Sequence, residues 1–297
     1  MLDPRLVETH TAILFFVGDH VYKLKKAVDL GFFDNRDRPA REATCHREVD
    51  LNRRLAPDVY FGVLDLVDEA GEPVDHVVDM ARMPDDRRLS RCVERGDDVD
   101  DALRAAAHAV AALHAGSSHD PVHDRSATRD AVLGRWTDGF DQVRSLATDA
   151  ATAEGMAEME DLAVRYLAGR APLFDERIRQ GWIRDGHGDL QAEDIFLLDD
   201  GPRILDCIEF GDEYRWGDVL SDVGFLAMDL ERLGRPDLGQ MFLQLHRGLC
   251  ADTWPATLAH HYLAYRAQVR AKVEIVRSSQ LGAPTAPAAA AYIGLAN

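Results

Sequence analysis

Lysine is nearly absent from this 297-residue chain. Of 34 basic side chains only four are lysine, and three of them stand together at Lys23, Lys25 and Lys26. Where arginine serves almost everywhere else, a retained lysine points to work that needs a compact charge on a flexible stem, such as gripping phosphate. Cysteine is sparse too. Cys45, Cys92, Cys207 and Cys250 are scattered and never form a Cys-x-x-Cys pair, which argues against a disulfide framework or a zinc knuckle. His119 and His123 have helical spacing, but Pro121 between them breaks the shared face that a zinc pair would need. No run of about 18 uninterrupted apolar residues occurs, so no membrane-spanning helix is expected. The start, Met1-Leu-Asp-Pro-Arg5, lacks the apolar core of an export signal, and the expectation is a cytoplasmic protein. Acidic residues number 52 and leave a formal net charge of −18, a surface that repels nucleic-acid backbones and suits solubility or a cationic substrate.

What is present reads as two parts. Ala12–Val17 and Val21–Lys25 alternate like the arms of a β-hairpin about Gly18-Asp19, within a hairpin region spanning 7–33. Residues 40–55 read as a helix that stops near Pro57, and 59–67 and 74–82 as two more strands. After Pro84 the pattern turns helical at 99–115, 126–180 and 217–297, interrupted at 181–215 by short strands and polar turns. The expected fold class is therefore α+β. A small β-rich N-lobe, residues 1–83, is followed by a larger, mostly helical C-lobe, residues 84–297. Regular strand–helix alternation, which a doubly wound sheet requires, is missing.

The most informative stretch runs from His187-Gly-Asp189-Leu-Gln191-Ala-Glu-Asp194 through two short strands to Leu205-Asp206-Cys-Ile-Glu209. The strands, Ile195–Leu198 and Arg203–Leu205, flank an Asp199-Asp200-Gly201 turn. Asp189 and Asp194 precede the hairpin and Asp206 follows it, so three carboxylates are brought toward one point. Phosphoryl transfer needs that arrangement: one carboxylate takes or orients the proton of the acceptor hydroxyl, and others hold magnesium against the phosphates.

In these residues the chain resembles the aminoglycoside phosphotransferase and choline kinase superfamily, which has the protein-kinase-like bilobal fold. Its catalytic loop reads His-Gly-Asp-Leu-His-x-x-Asn, followed by a hairpin and an Asp. The chain is similar in particular to uncharacterised aminoglycoside-phosphotransferase-like proteins that are often fused to a P-loop kinase domain. The phrases that carry this likeness begin at Val7-Glu-Thr-His-Thr11, Val21-Tyr-Lys-Leu-Lys-Lys26 and Leu51-Asn-Arg-Arg-Leu-Ala-Pro57. Asp206-Cys-Ile-Glu-Phe210, Trp216-Gly-Asp-Val-Leu-Ser-Asp222 and Tyr265–Val273 continue it. No Gly-x-x-x-x-Gly-Lys-[Ser/Thr] sequence occurs, so the fused domain is not expected in this chain.

The resemblance implies Asp189 as catalytic base, Asp194 and Asp206 as magnesium ligands, and His187 and Asp222 as structural supports of the catalytic loop. Gln191 stands where the family has a second His, and Asp194 where it has Asn; the latter change keeps an oxygen ligand. On the Val21–Lys25 strand, Val21 would face the adenine and Lys23 the phosphates, with Lys25 on the same side as runner-up. Glu48 is the expected acidic partner, with Glu42 second. No Gly-x-Gly-x-x-Gly is present, and the turn bearing Thr9 and Thr11 is the candidate phosphate cover. Met80, Ala81 and Met83 are candidates for the hinge that meets the base through its backbone. Glu209, Arg266 and Arg270 are candidates for acceptor binding. These residues together imply a kinase that uses Mg²⁺ and ATP or GTP and phosphorylates a hydroxyl of a small molecule, with a sugar or amino sugar as the acceptor class by analogy. The alternatives are a protein kinase of the same fold and a nucleotide-sensing pseudokinase.

Overall fold

The computed structural model describes residues 5–9, 11–29, 34–147, 149–284 and 286–297. The chain opens as a meander of Arg5–Glu8 (β1), Ala12–Val17 (β2) and His20–Lys25 (β3). Val17 pairs with His20, so the β2–β3 turn has two residues, and Gly18 adopts the left-handed φ of +60° that such a turn requires. Tyr60–Val67 (β4) and Pro73–Ala81 (β5) complete an antiparallel sheet in the order β1-β2-β3-β5-β4. The strand β1 was not expected from the sequence; it is short and mostly exposed. Part of the expected 7–33 hairpin region, residues 30–33, and His10 of the Thr9–Thr11 turn lie outside the described residues.

Helix Arg38–Asn52 (α1) carries Pro39 in its first turn, where a missing amide costs nothing, so it starts two residues before the expected 40–55 segment. Its buried residues are Arg41, Cys45, Glu48, Val49 and Asn52. They follow a helical stripe, yet only two are apolar, because the stripe carries ion-pair partners instead of hydrocarbon.

The rest of the chain is mainly helical: Leu89–Arg95 (α2), Asp100–Gly116 (α3), Pro121–Asp124 (α4), Arg129–Arg144 (α5), Ala150–Leu167 (α6) and Ala171–Arg179 (α7). Then come Asp212–Arg215 (α8), Val219–Arg232 (α9), Pro236–Cys250 (α10), Ala256–Gln280 (α11) and Pro287–Ala296 (α12). The expected helical stretch at 126–180 is thus largely α5, α6 and α7. Two small sheets interrupt the helices. Ile183–Asp185 (β6) pairs with Trp216–Asp218 (β9), and Ile195–Leu198 (β7) with Gly201–Ile204 (β8). No helix among the described residues is long and apolar enough to cross a membrane.

The chain divides into two compact units, residues 1–109 with 187–214, and residues 110–186 with 215–297. The expected lobe boundary after residue 83 falls inside the first unit. The reason is packing. Phe196 and Leu205, from the β7–β8 hairpin, share one core with Val21, Cys45, Val49, Tyr60, Val78 and Met80. The hairpin therefore folds as part of the sheet unit although it is far away in sequence.

The helical unit buries histidines in its interior. His114 Nδ1 lies 2.9 Å from His246 Nε2, and His114 Nε2 lies 2.9 Å from Asp222 Oδ2. Burial, followed by the neighbouring His114, pushes the His246 imidazole down to about 3. Burial does the same to His261, also to about 3. Both titrate near 6.5 in an unfolded chain. Between these values the unfolded state binds more protons, so stability falls as pH drops below about 6.5 and is unaffected above it. Denaturant unfolding at pH 5 is expected to give a stability roughly 2–4 kcal/mol lower than at pH 7. His246→Gln is expected to flatten that slope, and an unchanged slope would contradict the assignment.

Candidate active site

Side chains of β3 alternate across the sheet, which places Val21, Lys23 and Lys25 on one face. Lys23 Nζ donates to Glu48 Oε1 at 2.8 Å and to Asp206 Oδ1 at 2.7 Å. Lys25 Nζ meets the other oxygen of the same carboxylate, Glu48 Oε2, at 2.5 Å, and also donates to Glu209. The result is an alternating chain of charge: Asp206, Lys23, Glu48, Lys25, Glu209. Glu48 is completely buried and Lys25 nearly so. Burial disfavours the charged form of every buried member, but the opposite charges outweigh it. Lys23 and Lys25 are pushed up, Lys23 far up by Asp206 and Glu48, and Glu48 is pushed down by the two lysines. Glu42 is engaged elsewhere, 3.4 Å from His76 Nε2 and 3.9 Å from Arg38.

The acidic residues come from the two ends of the β7–β8 hairpin, and the backbone stitches those ends together. The Leu205 amide donates to the Asp194 carbonyl at 2.9 Å. His187 Nε2 donates to the Leu205 carbonyl at 3.0 Å, and the Ile208 amide to the His187 carbonyl at 3.2 Å. His187 is fully buried, so this ring fixes the loop that carries Asp189. Asp206 sits at a left-handed φ of +63°, a conformation that costs a non-glycine residue roughly 1–3 kcal/mol and persists only where its surroundings hold it. Here the Asp206 amide donates to Tyr60 Oη at 3.3 Å and the Cys207 amide to Asn52 Oδ1 at 2.9 Å.

The Lys23 ammonium holds the Asp206 carboxyl down at about 2. Burial, and then the Asp206 and Asp189 carboxylates, push Asp194 well above the usual range. Arg88 is the cation that opposes this rise. Among the described residues no group of three or more His, Cys, Asp or Glu side chains is arranged to hold a metal ion. Magnesium, however, is commonly held by one or two carboxylates together with phosphate and water. The Asp194 and Asp206 oxygens fit that need.

No family model matches the chain. It is 44% identical over 281 residues to the uncharacterised protein Rv2004c of Mycobacterium tuberculosis (strain H37Rv) and, to the same degree, to Mb2027c of Mycobacterium bovis. The match covers 95% of this chain but 56% of each relative, so the chain spans about half the length of these curated relatives. Among solved structures, an aminoglycoside phosphotransferase, APH(4)-Ia, superposes with a TM-score of 0.61 at 12% identity, covering 99% of this chain and 94% of that one. Choline kinase from Cryptosporidium parvum gives 0.58 at 11% identity, covering 99% and 87%. A choline/ethanolamine kinase family protein from Mesorhizobium loti gives 0.57 at 16%, covering 99% and 85%. The chain has the fold of the choline kinases and aminoglycoside phosphotransferases.

Within this kinase-like fold the remaining sequence candidates are placed as follows. Val21 is buried in the core opposite Met80, its partner on β5. The Ala81 amide donates to the Val59 carbonyl at 2.8 Å and the Arg82 amide to the Asp19 carbonyl at 2.7 Å. The Met83 amide has no backbone partner among the described residues. Thr9 is exposed and closes its own turn: its hydroxyl donates to the Ala12 carbonyl at 3.1 Å and accepts from the Ala12 amide at 3.0 Å. The Thr11 carbonyl accepts from the Lys26 amide at 2.8 Å. Asp222 lies in the helical unit against Gly186, where a Cβ would fall 2.5 Å from Asp222 Oδ2. Arg266 Nε donates to the Ser221 carbonyl at 3.0 Å, with its guanidinium 4.8 Å from the Phe225 ring. Arg270 points toward Glu274, at 3.7 Å, and the Tyr292 ring.

Sequence reasoning missed Tyr60, Asn52 and Arg88. Arg88 donates to the Glu193 carbonyl, stacks 4.6 Å from the Phe196 ring and opposes the rise of the Asp194 pKa. Asn52 had a signal, since it lies in the Leu51–Pro57 phrase. Tyr60 and Arg88 had none, because their partners come from distant segments.

Proposed function

We propose that this chain is a Mg²⁺- and nucleotide-dependent phosphotransferase that moves the γ-phosphate of ATP or GTP onto a hydroxyl of a small molecule, with a sugar or amino sugar as the acceptor class. The observation that carries the reading is Lys23, held between Glu48 and Asp206, with Asp194 close enough to Asp206 and Asp189 for their charges to act on it. The solved neighbours with bound ADP or GDP support a nucleotide as co-substrate.

In this reading Lys23 leaves Asp206 for the phosphate oxygens while Glu48 keeps its stem in place. Asp194 and Asp206 hold Mg²⁺, which when bound neutralises charge on the phosphates. Asp189 takes the proton of the acceptor hydroxyl as its oxygen bonds to the γ-phosphorus and the bond to the bridging oxygen breaks, releasing the nucleoside diphosphate. Val21 packs against the base and the Met83 amide donates to it. His187 keeps the loop of Asp189 rigid.

The test is turnover of ATP and GTP with Mg²⁺ against sugars, amino sugars, aminoglycosides and generic protein substrates. Acceptor-stimulated turnover is expected, abolished by EDTA and reduced at least about 100-fold in Asp206→Asn. Nucleotide binding without turnover on any acceptor, or turnover indifferent to Mg²⁺, overturns the reading.

A further inference from the structure

Two lysines grip Glu48, and they are not equivalent. Lys23 has 12% of its side chain exposed and faces Asp206, whose side chain is 53% exposed. Lys25 has 1% exposed, and both of its partners, Glu48 and Glu209, are themselves buried or nearly so. A phosphate could reach Lys25 only by dismantling the interior.

We infer that Lys25 is a positioning residue: with Glu209 it forms a latch that keeps Glu48 charged and in place, and the Asp206 segment seated, while Lys23 exchanges Asp206 for phosphate. Its functional half rests on the phosphotransferase reading above. A carboxylate as buried as Glu48 is strongly destabilising once it loses its cations. Lys25 supplies one that never has to leave. The latch also gives the Asp206 segment a second anchor on α1. Asn52 Nδ2 donates to the Glu48 carbonyl at 2.8 Å, while Asn52 Oδ1 accepts from the Cys207 amide. The segment is thus held at Cys207 by Asn52 and at Glu209 by Lys25, two anchors that follow directly on a strained Asp206.

The experiment compares Mg²⁺-containing affinities for adenosine, ADP and ATP, and for the guanosine series, in wild type, Lys23→Met, Lys25→Met and Glu209→Gln. Lys23→Met is expected to lose roughly 10–100-fold for the triphosphate and little for the nucleoside, as loss of a charge-assisted phosphate contact dictates. Lys25→Met and Glu209→Gln are expected to weaken every member of a series by a similar factor. Loss confined to ATP or GTP in Lys25→Met makes Lys25 a phosphate ligand and overturns the latch. Glu209→Gln leaves the Lys25–Glu48 ion pair in place and carries the same comparison if Lys25→Met does not fold.

Thermal unfolding without nucleotide is measured alongside. The melting-point losses of Lys25→Met and Glu209→Gln are expected to be strongly non-additive in the double variant, and additivity overturns the latch. Should wild type bind no nucleotide, the phosphotransferase reading falls while this unfolding cycle still decides whether the latch exists.

Discussion

Asp189→Asn is expected to lower kcat by roughly 10²–10⁴-fold, the range for losing a positioned proton acceptor. Asn has the same shape as Asp but cannot take the acceptor proton. Nucleotide affinity is expected to stay within about twofold, because the substitution leaves the alternating Asp206–Lys23–Glu48 chain untouched. The loop should also keep its shape, since backbone hydrogen bonds and the His187 ring anchor it. One charge effect follows. Asp189 helps to push Asp194 up, so its neutralisation should let Asp194 ionise more readily and hold a cation no worse. Single-turnover kinetics with calorimetric nucleotide binding separate the two effects. Unchanged kcat would remove Asp189 from the chemistry.

On the proposed reaction, Lys23→Met is expected to lower kcat/KM by roughly 10³-fold or more, because it would remove the grip on phosphate and leave the phosphate charge uncompensated. It is also expected to destabilise the fold, by about 2 kcal/mol. The loss should be less than for a fully broken buried pair, because Lys25 still holds the second oxygen of Glu48. Lys23→Arg is not expected to restore activity, since a planar guanidinium does not reproduce a point charge bonded to two carboxylates from different segments. The pH dependence has a definite sign. Asp206 is depressed to about 2 by Lys23, so their pairing stabilises the fold above the unfolded carboxyl range and is lost as pH falls toward 2. The stability gap between wild type and Lys23→Met should therefore narrow on acidification below about 4. Denaturant titrations of both proteins at pH 7 and pH 3 measure it, and a constant gap would mean that the ion pair carries no stability.

Much of this arrangement was legible in the sequence. The β2–β3 hairpin was written in its alternation and its Gly18-Asp19 turn, and the β7–β8 hairpin in the Asp199-Asp200-Gly201 turn between two apolar runs. The lysine cluster stood out because the rest of the chain uses arginine. Other features left no local trace. The β6–β9 pair joins residues 183–185 to 216–218 across a long insertion, and three-residue strands have too little pattern to announce themselves. The stripe of α1 is largely polar, so hydrophobic periodicity marked the helix only loosely at its ends.

The sequence by itself determined which residues are candidates for the chemistry and which segments turn, because residue type, turn chemistry and side-chain alternation are local properties. Only the tertiary structure decided how those residues are shared out. It gave one Glu48 to two lysines, committed Lys25 to Glu209, set Asp206 in a left-handed conformation held by Tyr60 and Asn52, and folded the β7–β8 hairpin into the core of the sheet unit. Each of these depends on groups far apart in the chain meeting, and for Glu48, Lys25 and the hairpin core they meet in a dry interior. There a buried charge must find a partner, and which partner it finds is fixed by packing, not by sequence distance.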